Sequence, residues 1–476
     1  MAGGTWLTQN KVRPGAYINT VGIQPATNDS VLGTTLLVGS KSLDWGKKGV
    51  TPLTLDSDFR AALGINSLDE YPVLREVFKG AVKVLYLNDN DGVQASIEDP
   101  VIPWKFTAKY AGTKGNQISV LVEKDPTDTS DDPLFTVSTL YGTVLVDKQQ
   151  VHISTSNNLA DNDYINVEFV DADGNPVNPQ VNADAGGATF TVDIDSSPLK
   201  TFTGSHTYAL AGGTSVPVDM ATLLNDALEN EQYAVVTTAG ISGDATIHAL
   251  LVSQVQRLRE DEGYKVRAVI PYYAGSTIPN YEGVSVVAQG VTLDSGEVLD
   301  IPTATGWFAG ASSAADVNVS LTYAEYPNAV DVNPRYNNDQ TIKALNSGLI
   351  VFTVKRDGAV VVEQDINSLH TIPQGKNKDF RKNRVMRTLD GIALNTQITF
   401  ENSYIGKVNN DATGQGLFKA NRISYLNTLV GIGAIQAFDN DDISVAAGND
   451  KDSIVVNVAV TPIDSMEKLY MTINVY

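Results

Sequence analysis

The stretch that decides how this chain is read is residues 453–476, SIVVNVAVTPIDSMEKLYMTINVY. Ile454, Val456, Val458 and Val460 make one apolar row before Pro462 stops the run, and Leu469, Met471, Ile473 and Val475 make a second. Lys468, Tyr470, Thr472, Asn474 and Tyr476 alternate with the second row, so the spacing predicts two β-strands. Such strands do not stay ordered alone. Burying four aliphatic side chains is worth about 6–12 kcal/mol, while fixing nine residues of backbone costs about 9–18 kcal/mol. They need a sheet to join, and a terminal segment is free to join a neighbour's.

With 476 residues the chain has room for about three domains. It contains no cysteine, which excludes disulfides and thiolate metal sites. The opening residues Met1 to Trp6 carry neither a basic region nor an apolar core, so no signal peptide is expected there. No apolar run approaches the roughly 18 residues of a membrane span. A protein made and kept in a cytosol is expected. The net charge of −21 argues against nucleic acid as the primary partner, because phosphate contacts need a basic footprint.

Residues 1–25 read as an extended arm with a Pro14-Gly15 turn. Stretched out, it could span on the order of 85 Å and cross a neighbouring subunit; pairing with its own domain as an edge strand is the plainer alternative. Residues 26–92 and 214–364 carry alternating strand and helix patterns. Strands are expected at 35–38, 82–87, 233–237, 266–270, 284–288, 349–354 and 360–364, and helices at 57–63, 71–79, 219–229, 244–262, 305–315 and 339–345. Such alternation implies a mainly parallel sheet between helices. Between them, residues 93–213 show only short candidate strands, at 118–122, 134–140, 143–146, 164–170, 188–194 and 207–210, separated by Gly, Asn, Asp and Pro. This inserted β-sandwich-like module has 6 Lys/Arg against 16 Asp/Glu and reads as an acidic, solvent-facing decoration. Residues 365–476 form an α+β C-terminal domain, with helical patterns at 379–400 and 416–438, and the two closing strands are expected to pair with each other. The fold class expected is therefore multi-domain α/β with extended arms at both ends.

No catalytic constellation emerges. The histidines His152, His206, His248 and His370 have no metal-ligand spacing. Residues 240–244 lack the closing glycine of a nucleophile elbow, and 112–115 lack the spacing of a phosphate loop. Gly431 and Gly433 sit inside a helical pattern and read as close helix packing. The acidic runs 125–132 and 439–442, the latter with Asp450 and Asp452, do not follow a calcium-loop order and read as turns and caps. No cofactor and no metal is expected. One charge feature runs against the whole: Lys376, Lys378, Arg381, Lys382, Arg384 and Arg387 against Asp379 give +5 within twelve residues. A solvated helix face and a docking site for an acidic partner both fit that run.

Three stretches together resemble the tail-sheath proteins of contractile phages, in the form found in Gram-positive phages and defective prophages. They are Gly3-Gly4-Thr5-Trp6 with Gln9 through Ile18, Asp365 through Leu369 with Lys378 through Val385 and Asp390, and Pro462 through Tyr470. The resemblance implies a structural subunit of a virion tail, assembled in the host cytoplasm, that stacks as hexameric rings around an inner tube and contracts to drive the tube through the host envelope. It implies as partners further copies of the chain, the tail tube protein, and baseplate and tail-terminator proteins, with neither nucleic acid nor membrane bound. Subunit contacts are then expected through Trp6, Val12, Arg13, Tyr17 and Ile18 in the N-terminal arm and through Leu469, Met471, Ile473 and Val475 in the C-terminal arm. Lys378, Arg381, Lys382, Arg384 and Arg387 would face the tube. The alternatives are a non-contractile decoration or surface-layer protein built by the same strand exchange, and an α/β enzyme with an accessory module.

Overall fold

A computed structural model describes residues 2–4, 15–17, 31–40, 43–170, 192–243 and 245–475. At its centre is a seven-stranded sheet in the order 349–350, 284–287, 267–271, 235–237, 34–38, 83–88, 49–53. All neighbours are parallel except the edge strand 49–53, which runs antiparallel to 83–88. The strand Thr34–Val38 is buried along its whole length, as a strand covered on both faces must be. Leu36 and Val38 point into a core shared with the helices 220–230 and 245–260, while Leu37 points into the core on the opposite face.

The helices follow local signals. α1 (Phe59–Leu63) starts at Asp58, whose carboxylate accepts from the Arg60 and Ala61 amides, and stops at Gly64 in the left-handed region. α2 (Pro72–Phe78) has Pro72 at its first position, where a missing N–H costs nothing. α3 (Met220–Asn230) is capped by Asp219, and α4 (Ala245–Glu260) buries Ile247, Leu251, Val255 and Leu258 along one stripe. α5 (Ile301–Ala314), capped by Asp300, and α6 (Asn338–Asn346), with an Asn337–Gln340 capping box, complete the layer.

α5 lies against α2 with almost no space between their backbones. Gly306 and Gly310 share one face of α5, four residues apart, and a Cβ on Gly310 would stand 2.1 Å from the Val77 carbonyl oxygen. Gly310→Ala is therefore expected to cost about 1–3 kcal/mol by forcing the helices apart, seen as a lower denaturation midpoint. Gly416→Ala, where a Cβ meets nothing, is the control.

The chain leaves the sheet after 83–88 and enters the inserted module through 90–93, which pairs antiparallel with the returning strand 214–217. The module is a sandwich of a four-stranded sheet (144–152, 134–141, 118–124, 205–209) and a three-stranded one (165–169, 104–108, 96–98). The strands 96–98 and 104–108 were not foreseen, and most of the expected strand 188–194 lies outside the described residues. The sandwich does not hang free. Trp45 of the α/β unit is fully buried in the sandwich core, donates from Nε1 to Ala61 O at 2.8 Å and meets Tyr110 edge-on at 5.4 Å. The Lys114 ammonium donates to Gly64 O at 2.6 Å across the same seam.

The C-terminal unit holds α7 (Asn383–Ser403) and α8 (Ala412–Gly431), packed through Phe400, Tyr404 and Phe418, and a hairpin of strands 443–447 and 454–458. Two expectations are corrected here. α8 ends at Gly431, not at 438, because Gly433 adopts φ +70 and lets the Gly433 and Ala434 amides turn back onto Val430 O and Leu429 O. Gly431 and Gly433 thus end a helix; a Cβ on either would touch nothing, so they are not packing contacts. The strand 454–458 pairs with 443–447 and not with residues 468–476.

Candidate assembly site

The segment Asp365 to Leu369 is the seam at which the C-terminal unit joins the α/β core. The Ser368 amide donates to Val284 O at 2.8 Å and its hydroxyl to Tyr281 O at 2.9 Å. Asn367 donates from its amide to Arg381 O at 2.9 Å and from Nδ2 to Phe380 O at 2.8 Å. α7 enters this seam with Asn383, Arg387 and Asp390, spaced i, i+4 and i+7 and so on one helix face. Asn383 Nδ2 donates to Asp365 Oδ1 and to Ile366 O, both at 2.9 Å. The Arg387 guanidinium donates to the Asp365 carboxylate and, at 2.8 Å, to Val319 O; the side chains of this ion pair are 2% and 1% exposed. Arg259 of α4 grips the Asp390 carboxylate with two nitrogens, at 2.8 and 3.0 Å.

A third guanidinium stands beside these two pairs. Arg267 is half-buried and donates to Ser312 O at 3.3 Å, but its Nη1 has no accessible surface and no hydrogen-bond partner. Burial, and next the charge of Arg387, pull its pKa down to about 9. Three guanidiniums thus share two carboxylates.

The five cations expected to face a tube sit in different settings within the chain. Arg387 is buried on Asp365, inside its own chain. Lys382 is half-buried and pairs with the carboxylates of Asp464, at 3.4 Å, and Glu467. Arg381 and Arg384 are half-buried and donate to Leu345 O at 2.9 Å and Gly433 O at 3.3 Å. Of the five, Lys378 alone is exposed. The basic run is largely an internal fastener, because a sequence run shows the cations of one segment and not the distant carboxylates folded onto them.

The two arms differ in what is described. Ala2–Gly4 pairs in parallel with Gly15–Tyr17, which places Tyr17 on that strand; Trp6, Val12, Arg13 and Ile18 lie outside the described residues. At the other end, Pro462 bridges to Ile435, and the Ile463 amide donates to Ala434 O at 2.9 Å. Beyond Glu467 the chain joins no sheet among the described residues. Leu469, Met471, Ile473 and Val475 are 85%, 69%, 74% and 91% exposed. The hairpin 443–447/454–458 is two-stranded, with no further strand on either side among the described residues. Residue pairs 442/459 and 448/453 carry hydrogen bonds, so by antiparallel alternation the backbone groups of Ile454, Val456 and Val458 face outward.

The histidines stay apart, with His152 on Asp132 O at 2.8 Å, His248 on Thr238 Oγ1 at 2.7 Å and His370 on Ser368 O at 2.9 Å. Asp439 and Asp442 cap a short turn, and among the described residues no group of three or more acidic or histidine side chains is placed to hold a metal ion.

The architecture is that of a structural subunit: an α/β core, an inserted sandwich and a C-terminal unit carrying an unpaired apolar segment. Comparison with known proteins gives the class. Residues 90–215 match the phage tail sheath protein β-sandwich domain, 216–368 its central domain and 375–476 the phage tail sheath C-terminal domain. A Bacillus subtilis protein, the phage-like element PBSX protein XkdK, is 34% identical over the full length of both chains. Crystal structures of sheath tail proteins from Desulfitobacterium hafniense (32% identity, TM-score 0.72, 96% of this chain and 99% of that one) and Listeria innocua (31%, 0.73, 94% and 95%) have the same fold. The chain belongs to the phage tail sheath proteins. It is a structural component of a contractile, phage-like tail and not an enzyme.

Proposed function

We propose that this subunit polymerises by strand exchange into stacked hexameric rings around an inner tail tube, within a tail assembled in the host cytoplasm, and that the resulting sheath contracts to drive the tube through the host envelope. The observation that carries the reading is the apolar row Leu469, Met471, Ile473 and Val475, standing in solvent on a chain that also displays an open-edged hairpin. Exposed strand-forming segments and open edges are pairing sites, and here donor and acceptor occur in one molecule. The N-terminal arm, with Trp6, Val12, Arg13, Tyr17 and Ile18, is the second exchanging segment. In this reading the arms keep the lattice connected while the bodies, stiffened by the Trp45 seam, turn as units. Baseplate and tail-terminator proteins cap the two ends, and the tube-facing role narrows to Lys378.

The test targets the acceptor. Val456→Pro removes an outward N–H that no strand among the described residues uses, so the hairpin should tolerate it. Negative-stain microscopy of the purified chain is expected to show tubes, and of the variant only single subunits with an unchanged melting point. Tubes of normal abundance from the variant would exclude this edge as the receiving strand.

A further inference from the structure

Within the exposed C-terminal segment one side chain behaves unlike its neighbours. Met466 and Leu469 are 103% and 85% exposed, yet the Glu467 side chain is only 10% exposed. Its carboxylate accepts from the Lys382 ammonium, from Thr322 Oγ1 at 2.9 Å, from Gln364 Nε2 at 3.1 Å and from Ser465 Oγ at 3.4 Å. The Thr322 hydroxyl in turn accepts from the Asp365 amide at 2.9 Å, which ties Glu467 to the seam of Asp365 and Arg387. A carboxylate with four donors is far more firmly held than a surface ion pair. The next fixed point upstream is the backbone pairing of Pro462 and Ile463 with Ile435 and Ala434. Between those two points, Asp464 touches the body through Lys382, and among the described residues Ser465 bonds Asp464 and Glu467 alone.

We propose that Glu467 is a latch: closed on Lys382, Thr322 and Gln364 it fixes where the C-terminal arm leaves the subunit, and open it pays out residues 464–467 as extra arm. Four residues of extended chain add about 13–14 Å of reach. That slack lets a subunit move relative to its neighbour without withdrawing the strand it has donated. The slack role rests on the strand-exchange reading; the latch does not.

The latch is tested on unassembled chain by trypsin cleavage after Lys468, which needs the residues on both sides of the bond to enter the protease. Lys382→Met leaves residues 464–476 unaltered and is expected to speed this cleavage at least tenfold, and Thr322→Val should act in the same direction. The conservative Lys382→Arg, which keeps a cation on the Glu467 carboxylate, should retain slow cleavage, which a general loosening of the fold would not. Rates unchanged in Lys382→Met, or cleavage as fast in Lys382→Arg as in Lys382→Met, overturn the latch. The slack role is tested in assembled sheaths. The chain has no native cysteine, so Lys382→Cys/Glu467→Cys can be tied by a reducible bifunctional cross-linker. Tied sheaths should keep their length on a denaturant step that shortens untied ones, and shorten once the tether is cut. Tied sheaths that shorten like untied ones overturn the slack role, while strand exchange itself is judged separately by removing residues 468–476.

Discussion

A subunit lacking residues 468–476 is expected to fold normally and to polymerise hardly at all. The folding half of this follows from exposure: Leu469, Tyr470, Met471, Ile473 and Val475 are all more than two-thirds exposed, so removing them takes nothing from the core. The melting midpoint should move by no more than about 2 °C, since surface changes away from packed or capped positions stay within about 0.5 kcal/mol. The assembly half follows from what the segment buries elsewhere. Its four aliphatic side chains are worth about 6–12 kcal/mol on burial, before the cost of ordering the strand. Losing even about 4 kcal/mol per contact raises the critical concentration for polymerisation about a thousandfold. Sedimentation and microscopy at matched concentrations measure it. Tubes from the truncated chain at the wild-type concentration would mean that the arm is an ornament and the lattice rests on faces between the globular bodies.

The second large effect is expected at the buried seam. Arg387→Met leaves the Asp365 carboxylate, 1% exposed, with Asn383 Nδ2 and the Leu321 amide as its hydrogen-bond donors among the described residues and no ion-pair contact. An uncompensated buried charge costs about 3–5 kcal/mol, and urea unfolding of the non-polymerising truncated subunit should show the transition of the C-terminal unit shifted by that amount. Arg267→Met is expected to behave in the opposite way, at worst neutral. Arg267 is the surplus cation, with one long hydrogen bond and two like charges nearby. Its depressed pKa means that the unfolded chain holds this proton more tightly than the folded one. The resulting penalty grows as pH falls towards about 9 and is fully present at neutrality, so removing the guanidinium relieves it. Equal losses from both substitutions would refute this division of the three guanidiniums.

The two substitutions also show why the basic run misleads in one dimension. Residues 376–387 display six cations against one acid, and nothing local tells a solvated face from a fastener. Asp365, Asp464 and Glu467, which take up Arg387 and Lys382, lie 22 to 85 positions away, and Glu282, which takes up Lys376, lies 94 positions upstream. Long-range ion pairing leaves no periodicity. The one legible trace was the i, i+4, i+7 spacing of Asn383, Arg387 and Asp390, a polar stripe on a helix that an exposed face would not need to align.

The sequence by itself determined the parallel α/β core, the inserted sandwich, the helix start at Asp219 and the apolar alternation of the C-terminal segment. These depend on period, caps and breakers, which act within a few residues. Only the tertiary structure decided that 454–458 pairs with 443–447, that α8 stops at Gly431, that Trp45 plugs the sandwich and that Glu467 is held while its neighbours are not. Each of those depends on which distant groups the fold brings within hydrogen-bond or van der Waals reach, and that information exists only once the layers have closed.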